Sequence, residues 1–260
     1  MTEKPQSSQN DLEFRQILGI RFFVGDPQRA IDLVRNGGLL VVPAAPALKN
    51  LPVDTAYREA LLGADVTIAD SSLMVMVWNF MQQDSIRRLS GLEYLVLLLS
   101  EPAMRKPGGA FWIMASPESA KKNIAWLNAQ GIEMSPEDTY LAPLYGTHIE
   151  DQLLLERIRN RRPAHVIVTI GGGTQERLGL YLKQNLQPMP AIHCIGAAIA
   201  FLSGDQVQIP MWADRFYLGW MFRCLSEPKR FVPRYWSARK LISLLLRYRN
   251  VLPVAAAKQV

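Results

Sequence analysis

A chain of 260 residues, 49% hydrophobic and 20% charged, has the size and make-up of one large folded domain with or without an appendage, and excludes wholesale disorder. Its longest apolar runs, 92–99 and 241–246, fall far short of the roughly 18–20 residues a membrane-spanning helix requires, so any membrane contact is peripheral. The net charge of +6 is one-sided: residues 205–260 hold ten Lys/Arg against three Asp/Glu, whereas the remaining 204 hold nineteen against twenty. Such a bias calls for an anionic partner at the C-terminal end.

In chain order, residues 1–11 are polar and read as a disordered N-terminus without a secretory signal. Residues 12–204 then alternate between two patterns. Short apolar runs rich in β-branched residues, at 39–43, 66–69, 110–115, 165–170 and 191–195, read as strands buried on both faces. Helix-period segments lie near 27–36, 54–62, 72–81, 92–99, 118–130, 149–161 and 175–185. This alternation predicts an α/β domain: a Rossmann-like, mostly parallel sheet with helices on both faces. Residues 205–250 read as a helical, basic appendage that is aromatic and broken by Pro228 and Pro233 into three helical pieces, the last near 235–249; residues 251–260 read as a tail. Cys194, Cys224, His148, His165 and His193 have no metal-ligand spacing, so neither metal nor cofactor is expected, and a reducing cytoplasmic compartment is the simpler setting.

Ligands of open α/β sheets bind beyond the carboxyl ends of the strands, which selects the residues that follow each predicted strand. After the fourth strand stands Ile170-Gly171-Gly172-Gly173-Thr174-Gln175-Glu176-Arg177. Glycines let a ligand approach the backbone, and a helix start offers free N–H groups to a diphosphate. The turn lacks the spacing of a dinucleotide fingerprint and the Lys-Ser/Thr of a P-loop. A phosphate or sugar cradle and a plain tight turn both remain open. After the second strand, Asp70 suits a general base or a holder of sugar hydroxyls, and equally an N-cap for the helix beginning near Ser72.

Several blocks resemble the WecG/TagA/CpsF glycosyltransferase family. They are Ala64-Asp65-Val66-Thr67-Ile68-Ala69-Asp70, then Val168 through Glu176, then Ile195-Gly196-Ala197-Ala198 through Gly204. The C-terminal match runs from Ile209-Pro210 through Leu218-Gly219-Trp220-Met221-Phe222-Arg223 and Glu227-Pro228-Lys229-Arg230-Phe231 to Arg234-Tyr235. The resemblance spans roughly 17–242. It implies an inverting, metal-independent transferase that moves a sugar from a UDP-sugar donor to a polyprenyl-diphosphate-linked saccharide acceptor in bacterial exopolysaccharide or surface-glycan synthesis. It also implies an appendage that closes the site and touches the membrane. By the same resemblance Asp70 falls on the base, and Gln175 and Glu176 on the nucleotide-sugar turn; Gly171, Gly172, Gly173, Thr174 and Gly196, at strand ends, join them as candidate substrate contacts. Arg223, Arg230 and Arg234 fall on basic positions of the appendage, and Tyr145 on a fainter element, Ala142-Pro143-Leu144-Tyr145. The chain departs from the family pattern at Pro43-Ala44-Ala45, Ser71, Gly173-Thr174 and Gly219.

The expected setting is the inner face of the cell membrane, with the basic, aromatic appendage docking on anionic lipid; solvated helices are the alternative reading of that segment. A nucleic-acid partner is not expected, because no recognised module accompanies the basic segment, and pairing into a homo-oligomer is left open. The rival functions are a non-catalytic or differently specialised nucleotide-sugar-binding protein of the same fold and, further off, an NAD-dependent oxidoreductase.

Overall fold

The computed structural model describes residues 13–206, 212–213 and 218–255, without the side chain of Arg230. The N-terminus expected to be disordered, and the Ile209-Pro210 block, lie outside the described residues.

Eight strands form one sheet in the order β1-β2-β4-β3-β8-β7-β5-β6. The central strands are β3 (Gly38–Val41), β4 (Val66–Ile68), β5 (Ala110–Met114), β7 (His165–Val168) and β8 (Ala191–Cys194), all parallel where they pair. These five runs are the predicted ones, each ending one or two residues earlier than its pattern. Their alternate side chains supply two cores. Leu39, Val41, Phe111, Val166 and Ile192 pack on one face with α2 (Ala45–Leu48), α3 (Thr55–Leu62), α4 (Ser72–Gln82), α7 (Gln152–Arg161) and α8 (Thr174–Asn185). Leu40, Val66, Trp112 and Ile167 pack on the other with α1 (Pro27–Val34), α5 (Gly91–Leu98), α6 (Pro117–Ala129) and α9 (Ala198–Leu202). The α/β class and the two-faced helix cover are as the sequence implied.

Three strands escaped the sequence pattern. β1 (Phe14–Ile17) and β2 (Ile20–Phe23) make an antiparallel hairpin at one edge. Its two-residue turn, Leu18-Gly19, carries positive φ at both positions (51° and 73°), the twist a hairpin favours but without the usual Asn-Gly signal. β6 (Thr139–Leu141) is a short edge strand beside β5.

At the C-terminus the three expected helical pieces are α10 (Gly219–Ser226), α11 (Pro228–Ala238) and α12 (Lys240–Tyr248), the last beginning at Lys240 rather than near 235. The break falls at Arg239, so Pro233 lies inside α11 and Pro228 occupies its first position, where a missing N–H costs nothing. α12 turns Leu241 and Leu245, both fully buried, into the same apolar cluster as Ile17 and Phe22. The chain after it is strapped to the hairpin. Leu18 N–H donates to Arg249 O (2.7 Å), Gly19 N–H to Asn250 O (3.1 Å) and Arg58 Nη1 to Pro253 O (2.6 Å). A Cβ on Gly19 would meet Leu252 at 2.5 Å, so glycine is required by contact as well as by φ.

Two of the three histidines are core residues. Tyr94 Oη lies 2.8 Å from His193 Nδ1, and His193 Nε2 lies 3.0 Å from His165 Nδ1. Burial drives both imidazoles towards the neutral form, which lets this chain of rings cross β7 and β8 without charge.

Candidate functional site

The carboxyl ends of β3, β4, β5, β7 and β8 open into a cleft of about 430 Å³. Three well-formed helices aim their N-termini into it: α5 through Ser90 and Gly91, α6 through Ser116, and α8 through Gly171 and Gly172. Their dipoles and unpaired N–H groups favour negative charge there. A larger cavity of about 520 Å³, beneath Arg35, Arg159 and Arg162, lies at the opposite, amino end of the sheet, away from these strand ends.

Asp70 stands where the chain leaves β4. The capping duty falls on its neighbour: Ser71 Oγ accepts from Met74 N–H (3.2 Å) at the start of α4. The Asp70 carboxylate is therefore free to face the cleft. Oδ1 accepts from Arg88 Nη2 (2.9 Å) and from Gly91 N–H (3.3 Å), and Arg88 Nε also donates to the Asp70 carbonyl oxygen (2.5 Å). Among the described residues Oδ2 has no partner, and the side chain is 23% exposed. Arg88 escaped the sequence reading. It sits with Arg87 in a loop without periodicity, and only the fold brings it to Asp70.

The triple-glycine turn forms the facing wall. Gly173 has φ +93°, and its N–H donates to Glu176 Oε2 (2.6 Å), which fastens the turn to the first turn of α8. The N–H groups of Gly171 and Gly172 bind nothing among the described residues. A Cβ built on either would meet nothing within 4 Å, so the backbone is bare towards the cavities on both sides of the turn. Gln175 is 2% exposed and borders the cleft; its Nε2 donates to Glu176 Oε1 (3.1 Å) while its Oε1 has no partner among the described residues. A buried acceptor left open in this way is costly unless a ligand donates to it. Gly196 has φ +61°, and a Cβ built there would stand in ordinary contact with the Gln175 amide, about 3.5 Å from its Oε1.

Glu176 lies deeper. It is fully buried, and burial pushes its carboxyl up to about 7 although the Gln175 amide and backbone N–H groups pull the other way. It does not line the cleft; it holds the turn that does. Thr174 also faces away, accepting from Arg177 Nη2 (3.3 Å). Tyr145 is not brought to the cleft: its hydroxyl donates to Asp151 Oδ2 (2.6 Å), the cap of α7, beside Tyr140 (2.8 Å).

α10 and α11 roof the opening. Arg223 donates through Nη1 to Tyr235 Oη (3.0 Å) and stacks on Phe201 (4.5 Å), and its buried Nε has no partner among the described residues. Arg234 borders this cleft and both cavities beside it. The Arg230 side chain lies outside the described residues. Among the described residues no group of three or more His, Cys, Asp or Glu side chains could hold a metal ion, and no helix is long and apolar enough to cross a membrane.

A parallel α/β sheet whose strand ends combine an acid, bare glycine N–H groups and roofing arginines has the make-up of an enzyme cleft that favours negative charge. Residues 15–253 match the model of the Glycosyl transferase WecG/TagA/CpsF family, and the chain belongs to that family. It is a glycosyltransferase. It is 24% identical over 220 residues to the N-acetylglucosaminyldiphosphoundecaprenol N-acetyl-beta-D-mannosaminyltransferase of Bacillus spizizenii (strain ATCC 23059 / NRRL B-14472 / W23), covering 84% of this chain and 82% of that protein.

Proposed function

We propose that the protein transfers a sugar, with inversion and without a metal, from a UDP-sugar to a hydroxyl of a polyprenyl-diphosphate-linked saccharide, in the assembly of a bacterial exopolysaccharide or other surface glycan. The observation that carries this reading is the meeting of an unengaged Asp70 Oδ2 and the bare Gly171-Gly172 backbone in one cleft. The relative from Bacillus spizizenii, whose name specifies such a lipid-linked acceptor, supports the acceptor class.

In this mechanism Asp70 Oδ2 takes the proton of the acceptor hydroxyl as its oxygen bonds to the anomeric carbon. The bond from that carbon to the donor phosphate breaks on the opposite side, and UDP departs with the electron pair. The N–H groups of Gly171 and Gly172, with Arg223 and Arg234, receive the charge that develops on the diphosphate. Arg88 and Gly91 N–H hold the other carboxylate oxygen, so Oδ2 keeps a fixed direction. Gln175 Oε1 accepts from a hydroxyl or amide of the donor. The protein works from the cytoplasmic side, held to anionic lipid by its basic C-terminal helices.

Asp70→Asn tests the base. Turnover is expected to fall about 10²–10⁴-fold, with UDP affinity and melting temperature close to wild type. Near-normal turnover in that variant removes Asp70 from the role.

A further inference from the structure

Asp70 borders two cavities, not one. The cleft with the glycine turn is polar and faces Ser116, Thr169 and Gln175. A second cavity of about 320 Å³ lies on the other side of Asp70, between the first turns of α4 and the α10–α11 pair. Its walls are largely apolar: Ala45, Pro46, Leu73, Met76, Trp220 and Ala238. The two share only Ala44, Asp70, Arg88, Arg223 and Arg234. An acid and three arginines thus stand at the junction of a polar chamber and an apolar one.

The chemistry of the two chambers matches the two ends of the proposed reaction. The nucleotide-sugar donor is polar throughout. The acceptor is polar at its saccharide and diphosphate and hydrocarbon beyond. A molecule lying in the second cavity with its sugar at Asp70 would pass its diphosphate across the arginines at the junction and its first isoprenoid units between Leu73, Met76 and Trp220. The exit is apolar as well. Met76 is 47% exposed, Trp220 47%, and Phe80, one turn beyond Met76 on the same face of α4, is 89% exposed. Exposed aromatic and thioether side chains at the mouth of an apolar cavity rimmed by arginine fit a hydrocarbon chain that ends in a diphosphate.

We propose that the cavity between α4 and the α10–α11 pair is the acceptor entry, which grips the diphosphate and the first isoprenoid units of the lipid through Met76, Phe80 and Trp220. This assignment rests on the transfer reaction proposed above. The binding test can fail independently of that reaction.

Geranylgeranyl diphosphate is the probe, titrated into the full chain by equilibrium binding with UDP present. Wild type is expected to bind it, and Met76→Ser and Phe80→Ser each to weaken binding about tenfold, while UDP affinity stays within twofold. Phe80 is largely and Met76 about half exposed, so melting temperatures should hold; Trp220→Leu is the second variant on the opposite wall. Unchanged binding of the isoprenoid diphosphate in all three variants overturns the assignment, as does an equal loss of UDP affinity. A loss confined to phosphatidylglycerol/phosphatidylethanolamine vesicles, with isoprenoid diphosphate binding intact, also overturns it and makes the face a bilayer contact only. If wild type binds UDP and the probe together yet transfers no sugar, the reaction proposed above falls and the cavity assignment stands.

Discussion

Two glycines of α8 and its leading turn illustrate how one residue type serves opposite ends. Gly179 sits mid-helix, where glycine costs roughly 0.5–1 kcal/mol relative to alanine. A Cβ there would meet Cys194 Sγ at 2.5 Å and Leu39 Cδ1 at 2.7 Å, so the helix needs glycine to lie against β3 and β8. Gly172 has open space instead. Gly179→Ala is expected to lose about 1–3 kcal/mol in urea melts without altering the UDP affinity per folded molecule. Gly172→Val should melt like wild type and bind UDP at least tenfold more weakly by calorimetry. Equal UDP affinity in Gly172→Val would mean that the nucleotide does not use this turn. Glu176 makes a separate prediction at the same scale. Its folded-state proton affinity is raised, to about 7, from an unfolded value near 4.5. A raised acid costs the fold nothing below the unfolded value, and its cost grows as pH rises and is complete above the folded value. The stability of Glu176→Gln relative to wild type should therefore shift in the variant's favour by up to about 3 kcal/mol between about pH 4 and pH 8. A flat difference across that range would show that the carboxyl does not titrate there.

At the scale of elements, α12 decides whether the C-terminal helices are separable. Leu241 and Leu245 are fully buried among residues of the sheet and α4, and the following chain hydrogen-bonds to the β1–β2 turn. Leu245→Ala is expected to cost about 2–5 kcal/mol, measured by urea unfolding and tracked by one cooperative transition. An early transition confined to the C-terminal helices would instead make α12 an independent unit. The helices that converge on the cleft were legible as helices because each carries a buried stripe. Their caps were legible only in part: Ser71 and Ser116 follow predicted strands, whereas Ser90 follows the loop after α4 and only the fold sets it beside the cleft.

At the scale of the molecule, the C-terminal segment concentrates charge and exposed aromatic surface on one side of the cleft. Trp212 is 56% and Trp236 65% exposed, and Arg239 lies 4.3 Å from the Trp236 ring centroid. Such pairs suit an anionic bilayer surface, where the ring enters the interface and the guanidinium meets headgroup phosphate. Trp236→Ser is expected to reduce binding to phosphatidylglycerol vesicles several-fold in co-sedimentation at low salt, and wild-type binding should weaken as salt rises. Equal sedimentation of variant and wild type would place the membrane contact elsewhere. Truncation after Gly204 is a poor probe of the same question, because it removes Leu241 and Leu245 from the core.

Read alone, the sequence determined the five central strands and most of the helices that cover them, because a strand buried on both faces must be a continuous apolar run and a covering helix must carry a stripe. It also determined the Gly171–Gln175 turn and the side of the chain that bears positive charge. Only the tertiary structure decided where the Asp70 carboxylate stands, because an acid beside Ser71 is a cap or a cleft carboxylate depending on which side chain reaches the Met74 N–H. Tertiary contact likewise brought in Arg88 and sent Tyr145 to Asp151 and Glu176 beneath the turn. It also split the space around Asp70 into a polar and an apolar chamber, since the partition is made of residues far apart in the chain that local periodicity does not relate.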